Sequence, residues 1–307
     1  AHAHQHSNST PRLADRGARH RAPVRLHCRQ MPPQPPDRPN PKAALQGVYL
    51  RPLRDDALPA RHSAGARVRA GQLQAFLRPL QLAAEAAIGP VGNVTLVVAN
   101  SKDWHRLCRY PYGLPFTRTG VGGRDATVVA ASDHQPRLLH RFDDVRLAAA
   151  KAGVRAPAEP AEFVDLMIGH EWGHAVSNLS GLRTRLKWLD ELNATYVFVQ
   201  ALRETGQVAL VERLAAWARW QVAGTAHEMG DLAAFEYPRG RAGWGKLLWY
   251  QGVFTQRALE LAPRRGWDYL RELRGALPAA DRGRLARALV EVEPSFRPWF
   301  RVFGREG

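Results

Sequence analysis

The pattern of apolar and polar residues predicts both helices and strands after residue 70. Apolar side chains recur three or four positions apart in residues 71–87, which indicates an amphipathic helix that Pro79 should kink or divide. Short valine-containing runs at residues 93–99 and 126–131 are typical of buried strands, and a short helix is expected between them at 101–107. The two strands should therefore belong to one small sheet.

Helical spacing dominates the rest of the chain. Residues 161–178 and 188–197 are apolar over most of their length, which predicts two buried helices joined by a turn. Residues 111–123 are predicted to form a Gly/Pro-rich loop, and residues 134–160 a lid or a connector. Further helices are predicted at 208–222, 244–261, 267–273 and 282–292. The predicted fold class is α+β, with a small mixed sheet packed on helix 161–178 and a mostly helical C-terminal lobe.

Residues 1–69 differ from the rest in composition. They are rich in Pro, Arg, His and Gln, have few periodic apolar positions, and are predicted to be disordered. The chain has a net charge of +16, and residues 1–70 carry 13 Lys and Arg against 4 Asp and Glu. We expect a solvated tail, with contact to nucleic acid or an acidic surface as the alternative. The predicted organisation is a tail at 1–69, a core at 70–201 and a helical lobe at 202–307.

Cysteine content and hydropathy argue against a disulfide-rich protein and against a membrane-spanning one. Cys28 and Cys108 form neither a C-x-x-C pair nor a disulfide framework. No apolar run approaches the roughly 20 residues that a membrane-spanning helix needs, and no signal-peptide core is visible. These features favour a cytoplasmic location only slightly, and they leave the oligomeric state open.

Residues 170–174 read His-Glu-Trp-Gly-His, an H-E-x-x-H motif. Residues four apart lie on the same face of a helix, so His170 and His174 can direct two imidazoles at one metal ion. Glu171 lies one step round the helix, where its carboxylate can meet a metal-bound water without being a ligand. Two core histidines satisfied by hydrogen bonds are the alternative. The motif residues Trp172 and Gly173 are uncharged, which predicts a buried helix with a close backbone contact at the glycine.

A catalytic zinc usually has three protein ligands and an open position. The metzincin continuation would place Gly and His three and six residues after His174, but Ser177 and Ser180 stand there. Glu191 lies 17 residues after His174, in the next predicted helix, and a loop with a return helix fits that distance. Glu236 is the fallback third ligand.

An H-E-x-x-H followed by a helix that carries E-x-x-A, here from Glu191 to Ala194, resembles the gluzincin metallopeptidases, the thermolysin and membrane-alanyl-aminopeptidase superfamily. The resemblance covers roughly residues 93–201. It implies a zincin-like catalytic core with Zn²⁺ as the cofactor and Glu171 as the general base. The zinc ligands that it implies are His170, His174 and Glu191.

The same resemblance raises further expectations. Ala194 would be the small residue that lets the two helices approach. Strand 126–131 would form the sheet edge over the cleft, where an extended peptide pairs with it, unless it is an ordinary core strand. Tyr250 is the candidate donor to the oxyanion of the tetrahedral intermediate, ahead of Tyr237 and His227, and a plain core aromatic is the alternative.

Two features depart from the family. Thermolysin-like enzymes carry an Asp four residues after the ligand Glu, hydrogen-bonded to a ligand His, but Thr195 stands at that position. Another group, Asp190 or Asn193, is therefore expected to support the histidine. The G-x-M-E-N loop that holds the substrate amino terminus in the aminopeptidase branch is absent, which argues against that specificity.

The predicted function is a zinc-dependent peptidase acting on peptide or protein substrates, without a membrane span and without a nucleic-acid partner. The alternative is a non-catalytic metal-binding or inactive peptidase-like protein whose basic tail binds nucleic acid or an acidic partner. Glu171 separates the two hypotheses, because a structural site has no use for it and would close the fourth position with Cys or His. Cys108 is the nearest such candidate in the sequence.

Overall fold

The computed structural model describes residues 48–120, 122–184, 186–225, 230–236, 244–279 and 281–304. Within these ranges a small mixed sheet combines with a larger number of helices, so the predicted α+β class is confirmed. The strands are β1 (Arg51–Leu53), β2 (Ala60–His62), β3 (Asn93–Ala99), β4 (Phe116–Thr119) and β5 (Asp125–Ala131).

The five strands form one sheet in the order β1-β2-β3-β5-β4. The inner strands β2, β3 and β5 are parallel, whereas β1 and β4 run antiparallel to their neighbours at the two edges. Apolar side chains alternate between the two faces because successive residues of a strand point in opposite directions. Leu96 and Val128 face the main core, while Val97 and Val129 face a smaller core that also contains Trp104. Both faces of the inner strands are thus covered, as is usual for parallel strands.

Helices cover the sheet and extend the core away from it. Helix α5 packs against β4 and β5, α6 packs against α5, and α9 packs against both α6 and α7. A 3₁₀ turn, His140–Phe142, joins α3 to α4. The helices are α1 (Arg67–Ile88), α2 (Ser101–Leu107), α3 (Pro136–Leu139), α4 (Asp143–Lys151), α5 (Pro160–Leu179), α6 (Lys187–Glu204), α7 (Val208–Ala223), α8 (Leu232–Glu236), α9 (Trp244–Arg265), α10 (Asp268–Gly275), α11 (Arg282–Val292) and α12 (Phe296–Phe303).

Several helix ends follow directly from the sequence. Helix α5 begins at Pro160, where the missing N–H of proline costs no hydrogen bond. Helix α2 begins after Asn100, whose side-chain oxygen accepts a 3.0 Å hydrogen bond from the backbone N of Asp103. Helix α1 ends before Gly89, whose φ of 85° ordinary residues rarely adopt. Pro79 lies inside α1, so this segment is one helix and not two.

The predicted boundary of the N-terminal tail is too late. Strands β1 and β2 and the start of α1 all lie before residue 70, and β2 pairs in parallel with β3. Three-residue strands are too short to show a period of two, so only their pairing identifies them. The tail prediction for residues 1–47 lies outside the described residues. The predicted boundary after residue 201 stays a prediction.

The region before the motif helix also differs from the prediction. The segment 111–123, predicted as a loop, contains β4, and this strand forms the sheet edge. The edge position predicted for strand 126–131 is wrong, because β5 lies between β3 and β4; this strand is the ordinary core strand that was the alternative. The predicted lid or connector at 134–160 contains α3 and α4, and the terminal helix α12 was not predicted. No described helix combines the length and apolar character needed to cross a membrane.

Candidate metal centre

Helices α5 and α6 approach each other closely at two glycines. A Cβ atom added to Gly173 would lie 2.1 Å from the carbonyl oxygen of Ala194, and one added to Gly169 would lie 2.3 Å from the ring of Phe198. Both distances are well below van der Waals contact. At Gly173 the obstacle is backbone, so a side chain there would force the helices apart, whereas at Gly169 the Phe198 ring would have to shift. The close contact expected at Gly173 is confirmed, and Ala194 is the residue that makes it.

This approach brings three potential metal ligands together. Nε2 of His170 lies 3.1 Å, and Nε2 of His174 lies 3.4 Å, from Oε2 of Glu191. The ligand atoms of the three residues all lie within 4.8 Å of one another. The side chains of the two histidines are 13% and 16% exposed and that of the glutamate 25%. The cluster is therefore largely shielded while solvent still reaches it.

Thr195 orients the first histidine. Its hydroxyl donates to the backbone carbonyl of Glu191 at 3.0 Å, which uses its only proton. The same oxygen lies 3.0 Å from Nδ1 of His170 and must therefore accept a hydrogen bond from Nδ1–H. This arrangement keeps a proton on Nδ1, so Nε2, which faces Oε2 of Glu191 at 3.1 Å, is the nitrogen that can bind a metal ion once it carries no proton.

Asp190 and Asn193, the two residues expected to support His170, form other hydrogen bonds. Asp190 accepts hydrogen bonds from the backbone N and the hydroxyl of Thr184 at 2.7 and 2.8 Å. Burial raises the pKa of Asp190 to about 6 in spite of those two bonds. Oδ1 of Asn193 accepts from the hydroxyl of Tyr269 at 3.3 Å. The contact with His170 that was expected of one of these two residues is made instead by Thr195.

Opposite charges in the cluster shift one another's pKa values. Burial alone would lower the pKa of His174, but the Glu191 carboxylate, assisted by more distant acidic groups, outweighs burial and raises that pKa to about 9. Burial would raise the pKa of Glu191, but the two imidazoles outweigh it and hold that pKa well below its usual range. Glu191 is therefore ionised at neutral pH, and in the metal-free protein the protonated His174 imidazole is the cation beside it.

Glu171 lies next to this cluster and close to the edge strand. Burial raises the pKa of its carboxyl group, against the lowering effect of the ligand histidines. The single hydroxyl proton of Thr117 on β4 is donated to the backbone carbonyl of Glu171. Two turns further along the motif helix, Nδ2 of Asn178 donates to the hydroxyl of Thr119 at 3.1 Å. These contacts hold β4 alongside the motif helix.

Helix α9 contributes a side chain that the sequence did not single out. Nε2 of Gln251 donates to Oε2 of Glu191 at 2.5 Å. Tyr250, the predicted oxyanion donor, is almost fully buried, and its hydroxyl donates to the carbonyl of Asp231 at 2.6 Å. Adjacent helical residues point in different directions, so the amide faces the cluster while the phenol is engaged elsewhere. Gln251 belongs to no recognisable motif, so nothing in the sequence marks it except its position next to Tyr250.

The remaining candidates do not join the ligand group. Oε1 of Glu236, the fallback ligand, accepts from the backbone N of Trp188 at 2.8 Å and so binds a free N–H at the start of α6. Cys108 lies in the smaller core with Trp104. The alternative oxyanion donors Tyr237 and His227 lie outside the described residues.

The donor set and its spacing are compatible with zinc. Two imidazole nitrogens and one carboxylate oxygen are a known set for catalytic zinc, which takes three protein ligands and a fourth, exchangeable one. Ligand atoms about 2.1 Å from a tetrahedral ion lie roughly 3.4 Å apart. The two nitrogen–oxygen distances of 3.1 and 3.4 Å are close to that spacing. Among the described residues, the group that could hold a metal consists of these three side chains.

Comparisons with known proteins find no match to this chain among family models, curated proteins or solved structures. The relation to the gluzincins therefore stays a prediction that depends on the motif residues and their geometry.

Proposed function

We propose that this protein is a zinc-dependent peptidase that hydrolyses peptide bonds with Glu171 as the general base. The observation that carries the proposal is the convergence of His170, His174 and Glu191, supplied by two helices, beside the Glu171 carboxyl group. Three ligands and an adjacent acid–base group suit catalysis, whereas a structural zinc site is usually closed by a fourth Cys or His.

His170, His174 and Glu191 would hold the zinc ion. When bound, zinc would polarise a carbonyl group and lower the pKa of water toward about 7. Thr195 keeps the proton of His170 on Nδ1 and leaves Nε2 free. Glu191 is anionic at neutral pH because its pKa lies well below the usual range. These features prepare His170 and Glu191 for a cation, whereas His174, whose pKa of about 9 keeps it protonated at neutral pH, must lose its proton before it can bind zinc.

Glu171 would move the proton during hydrolysis. Its carboxylate would accept a proton from the attacking water and deliver it to the leaving nitrogen. A C–O bond forms and the amide C–N bond breaks, so the products are a carboxylate and an amine. The raised pKa of Glu171 supports this role, because a general base works best when its pKa lies near the operating pH.

The edge strand would position an extended peptide. Strand β4 is the last strand of the sheet order, so one row of its backbone N–H and C=O groups has no strand partner among the described residues. Thr117 ties this strand to the backbone of Glu171. A peptide that pairs with the free edge of β4 would extend the sheet by one strand, a form of β-augmentation. Its carbonyl groups would then pass beside the cluster.

The proposal is tested by zinc analysis and by cleavage of casein and a peptide library with and without a chelator. Glu171→Gln should retain zinc and lose at least 10²-fold in cleavage rate, because general acid–base catalysis contributes about that much or more. Glu191→Ala should lose both zinc and activity. The matched control is Glu204→Ala, an exposed glutamate at the end of the same helix, which should change neither.

Two results would contradict the proposal. Wild-type cleavage by Glu171→Gln would remove its role as general base. Zinc bound without any cleavage by the unmodified protein would favour the alternative function, a non-catalytic metal-binding protein.

A further inference from the structure

Gln251 contacts the same carboxylate oxygen that both histidines face. Oε2 of Glu191 lies 3.1 and 3.4 Å from the two imidazole Nε2 atoms and 2.5 Å from Nε2 of Gln251. A carboxylate oxygen has two lone pairs, so it can accept one N–H and still bind a cation. The amide has no charge to add and supplies only a directed donor.

The backbone around Gln251 is firmly held. On one side, the Tyr250 hydroxyl binds the carbonyl of Asp231 at 2.6 Å. On the other, a Cβ added to Gly252 would lie 3.0 Å from the carbonyl oxygen of Ala218, so α9 rests directly on the backbone of α7. The amide is therefore presented to Glu191 by a helix that has little freedom to shift.

We infer that Gln251 is a positioning residue that fixes the rotamer of the Glu191 carboxylate for metal binding. Ligating carboxylates are commonly oriented by such hydrogen bonds, and removing the partner typically costs 10–100-fold in metal affinity. The inference rests on the proposed metal centre, and the role it gives to Gln251 differs from the oxyanion role predicted for the neighbouring Tyr250. A plain contact between α6 and α9 would instead affect folding stability and leave metal affinity unchanged.

The test uses the full chain and two metals. Zinc affinity is measured by competition with a chromophoric chelator, and the absorption spectrum of the Co²⁺-loaded protein reports the ligand geometry. Gln251→Leu, which keeps the volume but removes the donor, should weaken zinc binding 10–100-fold and shift the Co²⁺ spectrum. Gln256→Leu is the matched control, an exposed glutamine on the same helix, and should change affinity less than twofold.

Gln251→Ala, which only deletes atoms, repeats the comparison if the leucine variant folds poorly. Unchanged zinc affinity and an unchanged Co²⁺ spectrum in either folded variant would overturn the inference, and a change confined to the unfolding temperature would do the same. Failure of the unmodified protein to bind zinc would remove the proposed function as well, so the two failures are distinguishable.

Discussion

Helix α6 packs against both α5 and α9, and the two contacts are built differently. Against α5, glycine brings backbone into contact with backbone, since Gly173 leaves no room for a Cβ beside Ala194. Against α9, the polar contact to the cluster is made by one long side chain, Gln251, which reaches Glu191. A backbone contact fixes the distance between two helices, whereas a contact through a long side chain fixes only the orientation of the group that it touches.

This contrast indicates which parts of the candidate site tolerate change. The distances between the two histidines and Glu191 depend on how close α5 and α6 lie, so small residues between them should be indispensable. The contributions of Thr195 and Gln251 are single hydrogen bonds, and their loss should weaken metal binding without removing it.

The largest effect is expected for Gly173→Ala. The added methyl group would overlap the carbonyl of Ala194, so α5 and α6 must separate, at a cost of about 1–3 kcal/mol in unfolding free energy and a large loss of zinc affinity. Chemical denaturation and chelator competition measure both quantities. Gly71→Ala is the control, because Gly71 has open space within α1 and alanine there should stabilise by up to about 1 kcal/mol. Equal stability of Gly173→Ala and the unmodified protein would contradict the backbone contact.

Thr195→Val should come next. Valine keeps the shape but neither accepts from His170 Nδ1–H nor donates to the Glu191 carbonyl, so zinc affinity should fall 10–100-fold. Thr205→Val serves as the control, because Thr205 makes a similar hydrogen bond to the carbonyl of Ala201 at the far end of the same helix. If both variants bound zinc equally well, Thr195 would have no part in orienting the histidine.

The pH dependence of the metal-free protein tests the charge coupling between α5 and α6. The pKa of His174 is raised to about 9 in the folded protein, against about 6.5 when unfolded. The charged imidazole therefore stabilises the fold fully below pH 6.5, and this contribution, on the order of 3 kcal/mol at about 1.4 kcal/mol per pKa unit, is lost as the pH rises through about 9. Denaturation midpoints from pH 6 to 9.5 with a chelator present should fall for the unmodified protein and stay flatter for Glu191→Gln. Parallel curves would contradict the coupling.

Tyr250→Phe should have the smallest effect. It removes one buried hydrogen bond to the carbonyl of Asp231, which is worth about 1 kcal/mol of stability, while Gln251 still faces the cluster. The cleavage rate per folded molecule should then stay close to that of the unmodified protein. A loss of 10²–10³-fold in kcat would instead support the predicted oxyanion role of this tyrosine.

The sequence predicts most of the elements in which a periodic pattern of apolar residues continues over several positions. Strand β3 and helices α2 and α11 have the predicted limits, and α5 and α6 lie where apolar spacing put them. Short elements were missed: β4 has only four residues within a Gly/Pro-rich segment, and it becomes a strand by pairing with β5. Helix α12 contains Pro298, which indicates a helix end but is tolerated in the first turn of a helix.

The motif geometry of the candidate site follows from the sequence alone. Two histidines four residues apart must share a helix face, with Glu171 one step away, because the helical repeat is a property of the chain alone. It also required a close neighbour at Gly173. The tertiary structure decided the rest: that Ala194 is that neighbour, that Thr195 holds His170, that β4 is the edge strand, and that Gln251 faces Glu191. The physical reason is that a periodic pattern specifies which face of an element is buried, whereas a contact between elements depends on their offset and rotation, which packing sets.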